Sequence, residues 1–237
     1  MLRETLIAVV GVSAPGLAAV RELSVSAMDL GAAGVLVTPP TVLRTDDQIV
    51  SYYQQVADVL AADIPVVLQD FPLSTGVQIS NPALGRIIDT VPSVAMLKHK
   101  DWPGLSKIST LRAAEEKGRR RISVLTGNGG TFLTEELLRG ADGAMTGFSY
   151  PEMMVGVCRL MSKGKVSEAQ DLFDAYLPFA RYEQQPGLGL AIRKHAFAAR
   201  GVIAHARLRE PGPRLSAADI ADIDRLIAWQ QRRLMSV

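Results

Sequence analysis

Apolar runs of strand length alternate with amphipathic segments of helix length along most of the chain. Each run is rich in Val, Ile, Leu or Ala on both faces, which is typical of strands buried in a parallel sheet. The predicted strands are residues 6–12, 34–39, 64–70, 94–100, 122–127 and 143–147. The predicted helices begin near Pro15, Asp46, Asn81, Pro103, Thr131 and Pro151. The pattern therefore indicates six consecutive βα units.

The strand pattern stops after Pro151, and only helical periodicity follows. Three further helices are predicted at residues 166–185, 187–201 and 215–235, separated by the turn-forming sequences QQPG and REPGPR. No interior linker or low-complexity segment precedes them. We therefore predict an incomplete barrel over residues 1–163 and a three-helix C-terminal extension over residues 164–237 that packs on it.

An α/β chain of this pattern forms either a barrel or an open doubly wound sheet. A dinucleotide-binding sheet needs a G-x-G-x-x-G turn directly after a strand. The glycine-rich turns GVSAPG (11–16) and GNGG (127–130) do not match it, and the phosphate-loop ending GK[ST] is absent. We therefore favour a TIM-type (β/α) barrel, in which functional groups gather at the carboxyl ends of the strands.

The predicted strand ends contain few reactive groups. They form no His, Asp and Glu cluster with metal-ligand spacing, so we predict no metal. They also form no Ser-His-Asp arrangement, because the three histidines lie on the opposite strand face from Lys98 or in the extension. They do include Lys98, a lysine within an apolar strand. The strand-end set is Gly11, Ser13, Thr38, Gln69, Asp70, Lys98, Lys100, Thr126, Gly127, Thr146 and Gly147.

Side chains alternate along a strand, so Met96, Lys98 and Lys100 share a face. We expect Lys98 in the barrel mouth and Lys100 nearer the rim, where it reaches solvent and keeps its charge. Burial and a like-charged neighbour both lower the pKa of a lysine, and the neutral amine is the nucleophile that forms a Schiff base with a carbonyl. Two alternatives stay open: Lys98 is paired with a carboxylate, or the strand ends earlier and both lysines are solvated.

Composition excludes several classes of protein. The chain has 237 residues, 48% of them hydrophobic, and a net charge of +2, which gives no electrostatic footprint for nucleic acid. The basic sequence EEKGRRR is predicted to be a solvated loop. A lone cysteine, Cys158, excludes an intrachain disulfide and fits a reducing compartment. The first residues show no membrane span and no signal-peptide pattern, so we predict a cytoplasmic protein.

Four motifs also resemble a known family. In order and spacing, PVVLQDFPLSTG, VAMLKHKD, VLTGNGG and GADGAMTGFSYPE are similar to the dihydrodipicolinate synthase and N-acetylneuraminate lyase family of Schiff-base barrels. The likeness covers nearly the whole chain. In that family, the lysine at the end of the sixth barrel strand forms an imine with a 2-oxo acid, and the match puts Lys98 there. The resemblance implies a small-molecule 2-oxo acid substrate, no cofactor, and a homo-oligomer, either dimer or tetramer.

The departures from the family indicate a branch. Gln69 stands where lyases and synthases usually carry a proton-shuttling tyrosine, and Pro40 and Thr41 stand where synthases carry paired tyrosines. The proton relay of a synthase is therefore missing. The motifs look most like the 2-keto-3-deoxy-L-arabonate dehydratases, so a dehydratase is favoured over an aldolase. A synthase-like aldolase activity remains the alternative.

The resemblance also implies a mechanism. A protonated imine acidifies C3 of the keto acid, so a base can remove that proton and the C4 hydroxyl can leave. Gln69 has no useful pKa as a base, but its amide can hydrogen-bond the substrate hydroxyls. Gly127 and Asn128 are expected near the substrate chain, Thr146 near the imine, and Pro40 in the substrate-binding set. Ordinary turn chemistry explains these last residues equally well.

The strand count is smaller than the family's eight. Matching backwards from Lys98 makes residues 6–12 the third strand, so the first two βα units and their Gly-Thr-Thr carboxylate loop have no counterpart here. We therefore expect an N-terminally truncated, open barrel with apolar side chains exposed at the breach or covered by a partner chain. The second hypothesis is a catalytically inactive barrel that serves as a binding or assembly protein.

Overall fold

The computed structural model describes residues 7–102 and 104–235. Six strands are found there: β1 (Val9–Gly11), β2 (Gly34–Val37), β3 (Val66–Asp70), β4 (Val94–His99), β5 (Ser123–Thr126) and β6 (Gly143–Ala144). The helices are α1 (Leu17–Asp29), α2 (Asp46–Val59), α3 (Pro72–Thr75), α4 (Asn81–Thr90), α5 (Leu105–Glu116), α6 (Leu133–Leu138), α7 (Pro151–Ser162), α8 (Val166–Glu183), α9 (Gly189–Ala199) and α10 (Ala217–Leu234). A short 3₁₀ helix covers Asn128–Gly130.

The strands follow one another in the sheet in chain order, from β1 to β6. The β1–β2, β2–β3 and β3–β4 pairs are parallel, and a helix intervenes between each strand and the next. The predicted alternation of strands and helices in an α/β fold of the TIM-barrel type is thus confirmed. The short helix α3 was not expected from the sequence, because four residues are too few to show a helical period.

All six strands are shorter than predicted, and the difference is largest for β6 and β1. β6 ends at Ala144 rather than residue 147, because the chain turns out of the ladder towards α7 after Met145 N donates to Thr126 O. β1 covers Val9–Gly11, and the predicted start at Leu6 lies outside the described residues. Val12 N still donates to Leu36 O, so the pairing with β2 runs one residue beyond the strand.

The contacts divide the chain into two compact units. The first runs up to Leu125 and includes Arg139–Asp142; the second comprises Thr126–Leu138 and the residues from Gly143 onward. The boundary by contacts therefore falls at the end of β5, whereas the sequence places the division between barrel and extension after residue 163. That division of the architecture stays a prediction.

In the first unit, one face of the sheet is buried under helices, and we call it the helix face. Val35, Val37, Leu68 and Leu97 are each fully buried on it. Tyr53 of α2 packs there and donates its hydroxyl to Val37 O at 3.1 Å. Each fully buried aliphatic side chain contributes roughly 1.5–3 kcal/mol to folding. This layer fixes which side of each strand remains available for function.

The opposite face of the same strands is half-buried except at Val67, which is almost completely buried, and we call it the open face. Because paired residues of a parallel ladder share a face, the register places Leu36 and Thr38 of the β2 region with Gln69, Met96 and Lys98 on this side. All five are half-buried. Within the described residues, β1 pairs with β2 only. Val10 of β1 pairs with Val35, so it lies on the helix face, and it is 39% exposed. The expected exposure of interior apolar side chains at a breach stays a prediction.

In the second unit, five helices contribute to one apolar cluster; Leu133 of α6 belongs to it, and α7 to α10 supply most of the rest. Met153 and Val157 of α7, Phe173 and Phe179 of α8 and Ile192 of α9 are almost completely buried. The helix α10 adds Ile223 and Leu226 to the same cluster and begins with a Ser216–Asp219 capping box. These are the segments in which the sequence shows helical periodicity after Pro151.

Candidate active site

Lys98 lies on the open face near the end of β4. Its neighbours Leu97 and His99 are buried on the helix face, so the predicted alternation along this strand is confirmed. Burial lowers the pKa of the Lys98 ammonium group from its ordinary value. Within the described residues no carboxylate lies at ion-pair distance from Lys98. The amine therefore combines access to solvent with an increased neutral fraction.

A line of polar side chains leads across the open face towards Lys98. Gln69 is paired with Lys98 in the β3–β4 ladder. Its Nε2 donates to Thr38 Oγ1 at 3.0 Å, and Thr38 N donates to Ser13 Oγ at 2.8 Å. Three successive strand ends thus contribute to one hydrogen-bonded line. It fixes the rotamer of the Gln69 side chain, the nearest ladder neighbour of the lysine.

Pro40 lines a cavity of about 450 Å³ at the carboxyl ends of β1 and β2. Ser13, Thr38, Pro39 and Thr75 also contribute to its wall. Gln69 and Lys98 do not line this cavity; Gln69 reaches its wall through the bond to Thr38. In the order of the strands, β3 separates this cavity from Lys98 on β4. Its lining offers hydroxyl groups and proline rings but no charge.

Lys100 does not reach solvent as freely as predicted. It is half-buried, and its Nζ lies 3.4 Å from the centroid of the Phe71 ring. Phe71 follows β3 directly and presents a π face, which attracts an ammonium group. The two lysines therefore differ in their surroundings: Lys100 packs on the Phe71 ring, and Lys98 lies two residues earlier in the strand.

A buried charged cluster lies on the helix face, directly behind the candidate site. We call it the Lys107 cluster; its members are Lys107, Asp70, Asp101 and His99. Lys107 Nζ lies 2.6 Å from Asp70 Oδ2 and 2.8 Å from Asp101 Oδ2, and it donates to Ile79 O at 2.8 Å. These three acceptors use all the donors of the ammonium group. The sequence places Asp70 at a strand end but does not show that it faces away from Lys98 or that Lys107 pairs with it.

Burial perturbs the titration of this cluster. Desolvation raises the pKa of Asp70 to about 6, although the nearby Lys107 opposes the shift. Desolvation lowers the pKa of His99 to about 4, so the ring is neutral near pH 7. His99 Nε2 lies 3.0 Å from Gly104 O and, facing a carbonyl, must be the donor. The neutral tautomer therefore leaves Nδ1 as an acceptor, and Nδ1 and Asp70 Oδ1 are both buried without a hydrogen-bond partner.

The second unit brings together three of the other predicted site residues, Gly127, Asn128 and Thr146. Asn128 and Gly127 begin the turn after β5, and Gly129 N of that turn donates to Thr146 Oγ1 at 2.8 Å. Asn128 has a φ of 51° and Gly129 a φ of 66°, both in the left-handed region. A β-carbon on Gly129 would lie 2.0 Å from Gln184 Nε2. The GNGG turn is thus shaped by backbone conformation and by close packing against α8 and its C-cap.

Two buried carboxylates of the second unit were missed in the sequence. Glu183 is fully buried; it pairs with Arg193 Nε at 2.6 Å and accepts from Ser149 N at 3.1 Å. Arg193 also donates to Gly147 O at 2.8 Å, so the pair holds the turn between β6 and α7. Glu136 of α6 is buried beneath Thr126, and desolvation raises its pKa to about 7. A charged residue within an apolar helical stripe is the signal that marks both positions.

The described part of the chain contains neither a candidate metal-binding cluster nor a candidate membrane-spanning helix. Residues 7–102 and 104–235 contain no group of three or more His, Cys, Asp or Glu side chains that could hold a metal ion. None of the helices in these ranges is both long enough and apolar enough to cross a bilayer. The chemistry available on the open face is that of an amine, an amide and hydroxyl groups.

Comparisons with known proteins identify a family. A model of the dihydrodipicolinate synthetase family matches residues 4–228. Over 197 residues the chain is 32% identical to L-2-keto-3-deoxyarabonate dehydratase of Azospirillum brasilense, which covers 81% of this chain and 62% of that protein. Over 158 residues it is 30% identical to 4-hydroxy-tetrahydrodipicolinate synthase of Methanosphaerula palustris, covering 66% and 52%. The chain thus spans less than two thirds of the length of these relatives.

Solved structures show the same fold. Dihydrodipicolinate synthase from Rhodopseudomonas palustris superposes with a TM-score of 0.92 at 45% identity, covering 95% of this chain and 75% of that one. Dihydrodipicolinate synthase from Thermotoga maritima has a TM-score of 0.81 at 22% identity, covering 96% and 76%. Because the family model extends over nearly all of the sequence, the chain belongs to the dihydrodipicolinate synthetase family.

Proposed function

We propose that the chain acts as a Schiff-base-forming lyase on a 2-keto-3-deoxy sugar acid or a related 2-oxo acid, and as a dehydratase rather than an aldolase. The observation that carries the proposal is Lys98, a half-buried lysine with a lowered pKa at the end of a strand, in a chain of this family. The similarity to a named 2-keto-3-deoxyarabonate dehydratase supports the choice of substrate class.

The first step is imine formation at Lys98. The neutral amine attacks the C2 carbonyl of the 2-oxo acid, the carbinolamine loses water, and a protonated imine forms. The imine withdraws electrons from C3, so that loss of a C3 proton to a base is followed by departure of the C4 hydroxyl as water. No carbon-carbon bond breaks. Loss of a C5 proton and protonation of C3 then move the new C3–C4 double bond to C4–C5, where it forms the enol of an aldehyde. Tautomerisation gives the semialdehyde, and hydrolysis of the imine returns the free lysine.

Gln69 is assigned to substrate orientation. Its amide is held by Thr38 Oγ1 and lies beside Lys98 in the ladder, where it can hydrogen-bond a substrate hydroxyl but cannot accept a proton as a base. This assignment favours dehydration, because a synthase of this family places a proton-shuttling tyrosine at that position. Pro40, Gly127, Asn128 and Thr146 belong to the proposed substrate-binding set, and the small-molecule substrate and a homo-oligomeric state are parts of the same proposal.

Two other functions are alternatives: a synthase-like aldolase and a non-catalytic binding or assembly protein. One experiment tests both. A synthase-like aldolase is favoured by the similarity to 4-hydroxy-tetrahydrodipicolinate synthases, and a non-catalytic binding or assembly protein is favoured by the exposed edge at β1. The whole activity is a proposal, because the chain spans 62% of the dehydratase to which it is similar.

The test is incubation of the chain with pyruvate and borohydride, followed by mass spectrometry. A covalent gain equal to the reduced pyruvyl group supports a Schiff-base enzyme, and its absence with pyruvate and several longer 2-oxo acids contradicts the proposal in favour of a binding protein. Products made from a 2-keto-3-deoxy sugar acid then separate the two enzymes. A semialdehyde without carbon-carbon cleavage indicates a dehydratase, and pyruvate with an aldehyde indicates an aldolase.

A further inference from the structure

The ladder between β3 and β4 contains an irregularity just before the candidate site. Val66 pairs with Val94, but the next residue of β3, Val67, pairs with Met96. Ala95 is therefore an extra residue on β4, which is the arrangement of a β-bulge. An extra residue shifts the pairing of the two strands by one position. Because side chains alternate between the two faces, the pairing beyond the bulge decides which face each side chain of β4 occupies. A slip of one residue would turn Lys98 to the helix face and Leu97 to the open face.

The buried pair Leu68 and Leu97 specifies the face of the two strands just beyond the bulge, but no apolar pair follows it at the strand ends. Gln69 and Lys98 are half-buried on the open face, and the positions paired on the helix face are Asp70 and His99. The last two rungs of the ladder are thus polar on both sides. The backbone ladder continues here, with Lys100 N donating to Asp70 O at 2.8 Å. The side-chain interaction attached at these two rungs is the directional Lys107 cluster.

The Lys107 cluster joins three parts of the first unit at one atom. Lys107 Nζ bridges the end of β3 at Asp70, the turn after β4 at Asp101, and the segment before α4 at Ile79 O. The Lys107 side chain is 8% exposed and the Asp70 side chain 0%. A buried ion pair of this kind is poor at adding net stability, since the desolvation of the charges offsets their attraction. Its best-attested use is to specify a register.

We propose that Lys107 is a positioning residue, which fixes the β3–β4 register beyond the bulge at Ala95 and thereby holds Lys98 beside Gln69 on the open face. The role in catalysis rests on the proposed function, in which Lys98 forms the imine. The positioning role itself does not rest on the proposed function. It states only that Lys107, from the helix face, determines the environment of the Lys98 amine on the open face.

The test measures the Lys98 amine without any keto acid. The folded chain is labelled with a trace of acetic anhydride over a range of pH, and the acetylation of Lys98 is quantified by peptide mass spectrometry. In Lys107→Met, the released strand ends expose Lys98 to water, so its pKa rises and its reactivity at neutral pH falls by roughly tenfold, the effect of one pKa unit. Lys117→Met is the matched control, since Lys117 is the exposed C-cap of the same helix. It should leave Lys98 unchanged.

Two further variants separate positioning from simple charge. Lys107→Arg retains the positive charge and can still reach both carboxylates, so it should restore part of the reactivity. Asp101→Asn removes a negative charge, which through space alone would lower the Lys98 pKa and increase labelling. Loosening of the cluster predicts the opposite, a decrease of roughly threefold, or half a pKa unit. If Lys107→Met does not fold, Asp101→Asn alone tests the inference. Asp101 is partly exposed, so its replacement should disturb folding less.

The outcomes distinguish this inference from the proposed function. Unchanged Lys98 labelling in a folded Lys107→Met, or increased labelling in Asp101→Asn, overturns the positioning role whether or not the wild-type chain reacts with pyruvate. Reduced labelling in both variants supports it, even if no imine can be trapped. If trapping succeeds in the wild type, the Lys107→Met variant should also shift the pH profile of trapping to higher pH.

Discussion

Glu136 illustrates how one buried group sets a pH dependence. Desolvation raises its pKa from 4.5 to about 7, its Oε2 has no hydrogen-bond partner, and the hydroxyl of Thr126 offsets only part of the cost. The folded state therefore holds a proton that the unfolded chain releases near pH 4.5. The stability that this bound proton contributes to the folded state is therefore fully present below pH 4.5 and is lost as the pH rises through 7.

We accordingly expect Glu136→Gln to flatten the pH dependence of stability. Between pH 5 and pH 8, the free energy of unfolding of the wild type should fall relative to that of the variant by up to about 3 kcal/mol, the value of the pKa shift. Denaturant unfolding of both proteins at several pH values measures this difference. Glu135→Gln, which changes the exposed neighbour, should retain most of the slope. Parallel stability curves for wild type and Glu136→Gln would contradict the assignment.

The individual residues of the site could be predicted to different extents. Lys98 and Gln69 stand out in the sequence because a lysine and an amide interrupt apolar strands, and alternation then fixes their common face. Lys107 could not be found in this way, because its partner Asp70 lies 37 residues earlier and only the packing of α5 on the sheet brings them together. The pairing of Glu183 with Arg193 could not be predicted for the same reason, because it depends on how α8 and α9 pack.

At the scale of elements, the GNGG turn after β5 depends on glycine for two separate reasons. Gly129 has a left-handed φ of 66°, and its position is in close contact with Gln184. Gly129→Ala should therefore destabilise the protein by about 1–3 kcal/mol through backbone strain and crowding. Thermal unfolding measures the loss.

Two comparison variants divide that loss into its parts. Gly118 has a φ of 98° with nothing within 4 Å of an added β-carbon, so Gly118→Ala reports backbone strain without crowding. Truncating the neighbour in Gly129→Ala/Gln184→Ala should recover the crowding part. If Gly129→Ala costs no more than Gly118→Ala and the double variant recovers nothing, the close packing of this turn against Gln184 has no energetic weight.

The sequence run EEKGRRR shows what charge alone reveals about an element and what it does not. The prediction of a solvated loop after a helix is confirmed, because residues 117–121 follow α5 without helix or strand and four of the five are exposed. The sequence does not show the partners: Arg119 pairs with Asp89, Arg120 donates to Val94 O, and Arg121 pairs with Asp142. The run caps the entry to β5 and holds the preceding helices by their carbonyl and carboxylate groups. Charge clusters are usually solvated, and only the long-range partners distinguish this one from the usual case.

At the scale of the whole molecule, the architecture was the most predictable feature. Strand and helix periods are local properties, so the order of the six strands and most helices follows from the sequence, whereas the bulge at Ala95 does not, because a bulge changes pairing and not composition. The exposed Val10 at the β1 edge lies on the helix face, so it does not test the expectation of an open barrel. The predicted absence of two N-terminal βα units and the presence of a covering partner stay predictions.

The central claim is that Lys98 carries the imine, and replacing each of two lysines of one strand tests it most directly. Lys98→Arg and Lys100→Arg are incubated with pyruvate and borohydride beside the wild type, and the modified peptide is identified by mass spectrometry. A guanidinium stays protonated and cannot attack a carbonyl, so Lys98→Arg should abolish trapping. Lys100→Arg should trap nearly as well as the wild type, because its side chain packs on Phe71. Trapping that survives in Lys98→Arg and disappears in Lys100→Arg would contradict the account.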